Sequence, residues 1–264
     1  YDDFFRCSKW FDQIITIKRG LFYFQDLIQI KRKVNTTLFS HVYDLQTSKR
    51  SSNYLKLFKF PDSITNGIGK YAKICHDDFN KNNLHTIQRQ KDQISLSNIK
   101  FVQNLKIDWM FKSKISLPKN NFVLIVPGGS KKRKNKRIPL KIFYEIVDFL
   151  LLKKFEVLII GSKDDAEICE KIKDKFNEVK NLCNKTSLFD LAKLSRFTSL
   201  SIGNDTGPMH LISKRSKNTL VFFTKFSSPK LCKPMGRNVN IFIFERNREE
   251  FFFPNVLSKI KTLL

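Results

Sequence analysis

No apolar run in this sequence approaches the roughly 18 residues that a membrane helix needs. Its longest runs, around residues 122–126 and 146–152, are broken by Pro127, Asp148 or Lys153. The start shows no secretory signal pattern. Cys7, Cys75, Cys169, Cys183 and Cys232 are scattered, odd in number and free of C-x-x-C spacing. That argues against a disulfide framework and a thiolate zinc site, and it fits a reducing cytoplasm. His41, His76, His85 and His210 never fall at metal-ligand spacing. There is no G-x-x-x-x-G-K-[ST], no G-x-G-x-x-G and no G-x-S-x-G, so the P-loop, the dinucleotide fingerprint and the hydrolase elbow are all missing. Without an Asp-x-Asp, a metal-dependent sugar-transferase architecture is disfavoured. No solenoid repeat or low-complexity tract interrupts the chain.

Acidic residues are also scarce. The 264 residues carry 24 Asp and Glu against 49 Lys and Arg, a formal charge of +25. Such a balance invites a nucleic-acid reading. The cations are spread over the whole length, however, and the chain is rich in Lys, Asn, Ile and Phe together, which is the mark of a broad compositional bias. The interleaved aromatic and basic motifs of nucleic-acid modules are missing. No specific nucleic acid is therefore expected. Attraction to a phosphorylated, membrane-bound acceptor is the functional reading of the charge.

Strand and helix patterns alternate, which points to the α/β class. Residues 11–17 read as a strand, 21–34 as a helix, 37–45 as a strand and 51–60 as a short helix. Residues 77–93 are polar and read as a loop with part of a helix. A boundary is expected near Pro118, giving domains at 1–117 and 118–264. The second part is cleaner. Strands are expected at 122–126, 155–160, 179–183, 200–202, 219–223 and 239–244. Helices are expected at 140–153, 164–176, 188–195, 208–213 and 254–264. Repeated β-α units of this kind build a doubly wound parallel sheet, whose ligands sit beyond the carboxyl ends of the strands.

Three segments fall at that edge. The first is Pro127-Gly128-Gly129-Ser130 followed by the cations Lys131, Lys132, Arg133, Lys134, Lys136 and Arg137. A solvated basic loop is the plain reading of that charge run. The Gly-Gly-Ser turn before it would let at least one cation meet a diphosphate. The second is Gly161-Ser162 with Asp164 and Asp165. The third is Gly203-Asn204-Asp205-Thr206-Gly207-Pro208-Met209-His210. Pro208 suits the first turn of a helix. Thr206 offers a hydroxyl, Gly207 a close backbone approach, and Asp205 an acceptor for sugar hydroxyls. His210, one turn on, would face the same pocket. Asp205 and Thr206 could instead merely cap the helix.

These segments resemble glycosyltransferase family 9, the ADP-heptose:lipopolysaccharide heptosyltransferases. Residues 203–210 with Leu211 are close to the family's G-N-D-T-G-P-M-H-L. Pro127-Gly128-Gly129-Ser130 and Lys136-Arg137-Ile138-Pro139 are similar to its P-G-A-S and K-R-W-P. Asp44-Leu45-Gln46 with Arg50 looks like D-L-Q-G-x-x-R, and Lys233-Pro234-Met235-Gly236 like a late G-P-x-G. The chain departs at Ile138 for Trp, Thr47 for Gly, Thr224 for Gly and Ser228-Pro229 for Asp-Pro, and its basic loop is longer. The resemblance implies a GT-B fold, two Rossmann-like domains facing a cleft. The first domain would be incomplete, because the family's first strand and its Gly-rich loop with a general-base Asp would precede residue 1.

The implied reaction is inverting and metal-independent, with no cofactor. A heptose or related sugar passes from a nucleotide-diphospho-sugar, ADP-heptose by family, to a lipopolysaccharide core acceptor. The implied donor site comprises Ser130, Lys136, Asp165, Leu188, Asp205, Thr206, Gly207 and His210. Lys136 would stabilise the leaving group, with Lys134 or Arg137 as substitutes. Asp165, or Asp164 in its place, would bind the ribose, and the backbone near Leu188 the base. The implied location is cytoplasmic, with attachment to the cytoplasmic face of the inner membrane as an option. A same-fold transferase with another sugar or acceptor, or a sugar-nucleotide binder without catalysis, would share these motifs.

Overall fold

The structure, a computed structural model, describes residues 2–17, 23–58, 62–77, 82–102, 106–245 and 249–264. The chain divides into two compact units, one over Asp2–Lys106 and one over Ile107–Leu264. No described helix is long and apolar enough to cross a membrane.

The first unit carries α1 (Asp2–Arg6), α2 (Tyr23–Val34), β1 (His41–Tyr43), α3 (Lys49–Ser52), β2 (Ile64–Gly67), β3 (Ile74–Cys75) and α4 (Thr86–Ser95). Its strands form a parallel sheet in the order β1-β2-β3. Asp44, buried at the end of β1, organises the turn that follows. Its Oδ1 accepts from the amides of Gln46 and Thr47 at 3.1 and 3.3 Å, and its Oδ2 accepts from Ser51 Oγ at 2.9 Å. From α4, the buried Gln93 amide donates to the Asp44 carbonyl at 3.0 Å. The D-L-Q segment is thus the hub of this unit.

Thr47, which stands at the motif's glycine position, has φ +50°. A β-branched residue is strained there. Thr47→Gly should therefore stabilise the unit by about 1 kcal/mol after allowing for glycine's greater freedom when unfolded. A thermal melt should show this as a rise of roughly 4–8 °C in the transition of this unit. A fall in melting temperature would mean that the Thr47 side chain contributes more than its backbone costs.

The second unit holds β4 (Phe122–Val126), α5 (Leu140–Leu152), β5 (Glu156–Ile159), α6 (Ala166–Lys175), β6 (Lys180–Asn181) and α7 (Leu188–Phe197). It continues with β7 (Leu200–Asn204), α8 (Gly207–Ile212), β8 (Thr219–Thr224), α9 (Pro229–Cys232), β9 (Val239–Phe244) and α10 (Glu249–Leu263). The strands are all parallel, in the order β6-β5-β4-β7-β8-β9. Numbered from β4 as the first, this is the 3-2-1-4-5-6 order of the dinucleotide-binding fold. The chain winds one way after β4 and the other way after β7, so a crevice opens between their carboxyl ends.

Both faces of the sheet are covered. Val123 and Ile125 of β4 point into a core with Ile142, Phe143 and Ile146 of α5 and Val256 and Ile260 of α10. Phe122, Leu124 and Val126 point the other way, toward Leu191 and Leu194 of α7 and Met209 and Ile212 of α8. A central parallel strand buried on both faces reads as a continuous apolar run, which is why β4 was legible.

Residues 107–117, which precede the expected boundary, pack within the second unit. The Ser113 hydroxyl donates to the Asp190 carboxylate, and Lys193 Nζ donates to the carbonyls of Ser113 and Ile115 at 3.1 and 2.8 Å. Asp190 also closes a capping box at the start of α7, its Oδ2 accepting from the Ser187 amide at 2.7 Å. Burial pushes the Asp190 carboxyl up, but the Ser113 and Ser187 hydrogen bonds and the Lys193 charge outweigh it and hold the group below its ordinary value. A depressed folded value means the stabilisation is fully present above the unfolded value, near pH 4, and is lost as pH falls through the folded one. Acid titration followed by amide exchange should therefore release residues 107–117 and the first turn of α7 together. Asp190→Asn should remove that step and cost about 1 kcal/mol as a weakened cap.

Several expected elements differ. Residues 11–17 are irregular, and Phe11 is exposed, because no strand among the described residues pairs with them. The strand expected over 37–45 shrinks to β1. The C-terminal helix begins at Glu249, not at Pro254, which lies inside it. Pro254 is the sixth residue of the helix, so it removes one i→i−4 hydrogen bond from the second turn. The helix expected from Asp164 opens with a 3₁₀ turn over Lys163–Asp165 before α6. Residues 21–22, 59–60 and 78–81 of the expected elements lie outside the described residues.

Candidate donor site

At the crevice between β4 and β7 lies a cavity of about 790 Å³. That is within the usual range for a small-molecule site, roughly 300–1,000 Å³. Its walls come from the three loops singled out in the sequence. Gly128, Gly129, Ser130, Arg133 and Lys136 follow β4; Gly161, Ser162, Asp164 and Asp165 follow β5; Asp205, Thr206, Gly207 and Pro208 follow β7. Leu188, at the start of α7, and Asn184 and Thr186 before it add to the lining, with Val126, Ile160 and Leu191 as its apolar floor.

Lys136 and Asp205 meet across the cavity, Nζ to Oδ2, at 2.8 Å. Both side chains are largely buried, 16% and 5% exposed. A pair withdrawn from water to this degree interacts more strongly than a surface pair and is costly to break from one side. Beside it, Thr206 caps α8 in extended conformation without using its side chain. Its hydroxyl oxygen is buried and has no hydrogen-bond partner among the described residues. A buried hydroxyl left open in this way is suited to a ligand. Cys232 Sγ lies 3.9 Å from Asp205 Oδ2. Burial, reinforced by the Asp205 charge, pushes its thiol up.

Asp165 serves the protein itself. Its Oδ1 accepts from the Gly129 amide at 2.9 Å and from Arg137 Nη2 at 3.2 Å. Its Oδ2 accepts from the Ser162 amide and hydroxyl at 2.9 and 2.7 Å. Arg137 also donates to the Gly129 carbonyl. The Gly-Gly-Ser turn is thereby tied to the β5 loop. Only glycine fits at 128, where a Cβ would stand 2.2 Å from the Asp165 carboxyl carbon. On the other side, the buried Asn204 donates to the carbonyls of Pro127 and Gly128 at 2.7 and 3.2 Å, and its Oδ1 accepts from the Ile138 amide at 3.2 Å. Both ends of the basic loop are therefore fixed to β7.

Of the expected site residues, Ser130, Lys136, Asp165, Leu188, Asp205, Thr206 and Gly207 line one cavity. His210 lies outside that lining; it is exposed on α8, with Nε2 3.9 Å from Asp205 Oδ1. Among the substitutes for Lys136, Arg137 is committed to Gly129 and Asp165, and Lys134 does not line the cavity. Asp164 is on the wall and exposed. Sequence reasoning gave no role to Asn204 or to Asn184 and Thr186. Asn184 has φ +57°, a conformation asparagine tolerates, and an Asn just before a helix start was the available signal.

The family model of glycosyltransferase family 9 (heptosyltransferase) matches residues 71–260. Lipooligosaccharide heptosyltransferase 2 of Campylobacter jejuni subsp. jejuni serotype O:6 is 40% identical over 79 residues, 27% of this chain. The chain spans a quarter of that relative's length (25%) in the match. Among solved structures, E. coli heptosyltransferase WaaC with ADP superposes with a TM-score of 0.76 at 14% identity, covering 98% of this chain and 87% of the other. The glycosyl transferase family 9 protein from Veillonella parvula gives 0.75 at 16% identity, with 99% and 86% covered. At such identities the structures speak for the fold, which is the GT-B class of α/β protein. By the match over most of its length, the chain belongs to glycosyltransferase family 9, the heptosyltransferase family.

Proposed function

We propose that this chain is a sugar transferase that moves a heptose, or a related sugar, from ADP-heptose to a hydroxyl of a lipopolysaccharide-type core. The observation that carries this reading is the buried Lys136–Asp205 pair beside the Thr206 hydroxyl, which has no partner among the described residues, at the switch point of a Rossmann sheet in a family 9 chain. The E. coli relative that shares the fold is described with ADP, which supports an adenine nucleotide donor.

In this reading the diphosphate lies over Gly129 and Ser130, within reach of Lys136 and the Thr206 hydroxyl. The acceptor hydroxyl, deprotonated by a base, attacks the anomeric carbon from the face opposite the diphosphate. The carbon–oxygen bond to the diphosphate breaks, and the configuration inverts. Negative charge grows on the departing phosphate oxygens, where Lys136 and Thr206 stabilise it. Asp205 holds sugar hydroxyls and keeps Lys136 in place. These groups supply the positive charge and donors that a metal would otherwise bring, so the reaction is read as metal-independent. Asp164, the carboxylate on the β5 loop not committed to the Gly129 turn, is the group proposed to meet the ribose. The net charge of +25 supports an anionic acceptor, met in this reading at the cytoplasmic face of a membrane.

The test is a donor screen. Purified protein is offered ADP-heptose, ADP-glucose, UDP-glucose and GDP-mannose with a heptose-deficient lipopolysaccharide core, and release of nucleoside diphosphate is followed with and without EDTA. Turnover with ADP-heptose that EDTA leaves unchanged is the expected result. Preference for a uridine or guanosine donor would sink the donor assignment.

A further inference from the structure

Lys136 faces the cavity with its charge already balanced by Asp205. A diphosphate carries more negative charge than one half-neutralised lysine can meet. Among the described side chains of the basic loop, the other cation on the cavity wall is Arg133. Its guanidinium forms no ion pair with a carboxylate among the described residues, and its charge is felt at Cys232, which lies next to Asp205. Arg133 is exposed at the rim of the cavity, and the backbone explains why this cation of the run stands there. Residues Lys131–Lys136 form a 3₁₀ run that breaks at Arg133, with φ −131° and ψ 54°. The Arg133 amide donates to the Ser130 carbonyl at 3.0 Å, so the bend is anchored to the phosphate-side turn. Two residues on, the Thr224 hydroxyl from the end of β8 donates to the Asn135 carbonyl at 2.9 Å and holds the loop against the sheet.

We infer that Arg133 is a second donor-binding cation, one that reads the diphosphate and not the nucleoside. Its planar fork suits bidentate contact with phosphate oxygens, and it is free to take them without first surrendering a carboxylate. Lys136 and Arg133 then divide the work: one is positioned by Asp205, the other closes over the phosphates from the exposed side. This inference rests on the proposed nucleotide-sugar reading.

Calorimetry of the 264-residue chain with ADP and with AMP tests it without requiring turnover. The unaltered protein should bind ADP more tightly than AMP. Arg133→Ala should weaken ADP by roughly tenfold to a hundredfold, the range for losing charge-assisted contacts to phosphate, and leave AMP within about twofold. Arg133→Lys should recover part of the ADP affinity, because it restores charge without the fork. An Arg133→Ala protein that keeps the ADP-over-AMP preference of the unaltered chain overturns the inference alone. So does an equal loss for both nucleotides, which would mark a general effect on the loop. An unaltered protein that binds neither nucleotide overturns the donor reading and this inference with it.

Discussion

Lys136→Met should lower the rate of sugar transfer by about 10²–10³-fold, the usual cost of removing one group that stabilises charge growing on a leaving group. The loss should appear mainly in kcat, because the charge on the diphosphate is greatest in the transition state. It should also appear in stability. Lys136 removal strands the Asp205 carboxylate at 5% exposure, and breaking a buried pair from one side costs about 3–5 kcal/mol. Asp205→Asn keeps the shape and leaves Lys136 with 16% exposure through which to reach water, so its stability cost should be smaller and its main effect a weaker donor affinity. The double variant separates the two roles. If the Asp205 charge alone destabilises the Lys136→Met protein, adding Asp205→Asn should restore much of the melting temperature and none of the turnover. Paired thermal melts and steady-state kinetics read both quantities. Recovery of turnover in the double variant would show that Lys136 serves only to neutralise Asp205.

The site was legible where its chemistry is written in adjacent residues. Residues 203–210 sit together in sequence, and the small residues, the hydroxyl and the proline each have a local reason to occupy a loop that opens a helix. The pairs that give the site its shape are not local. Lys136 and Asp205 are 69 positions apart, Arg137 and Asp165 are 28 apart, and Ile138 and Asn204 are 66 apart. No spacing rule brings such residues together; the winding of the sheet does. Asp165, which the family resemblance assigns to the ribose with Asp164 as the alternative, makes four acceptor contacts to the protein that its place in the sequence does not announce. The fold shows the same division. Strands such as β4 and β8 are buried on both faces and announce themselves as apolar runs. In the first unit, β2 is the four-residue Ile64–Gly67, half polar, and β3 has two residues. Such strands exist by virtue of their neighbours, and they carry too little pattern to be read alone. Residues 11–17 show the converse, β-prone composition without a described partner strand.

Gly128→Ala should unfold the phosphate-side turn more than any other single methyl added to this loop. The new Cβ would stand 2.2 Å from Asp165 Cγ and Oδ1 and 2.7 Å from its Cβ. Backbone is fixed on one side of the contact by Asn204 and on the other by the capping box at Ser162, so neither partner can withdraw cheaply. Moving the Asp165 carboxylate would sacrifice its bond to the Gly129 amide and its pairing with Arg137, whose side chain is 18% exposed and would lose its carboxylate. Overpacking alone costs about 1–3 kcal/mol, and the stranded Arg137 adds to it. A fall in melting temperature of roughly 5–10 °C is expected for a unit of this size. In the proposed reading this turn carries the nucleotide, so ADP affinity should drop in the same protein at temperatures where it remains folded. Asp165→Ala should cost a similar amount by removing the tether. The two changes should be clearly less than additive when combined, because each disrupts the same contact between the β4 and β5 loops. Full additivity would mean that Gly128 and Asp165 act through separate parts of the site.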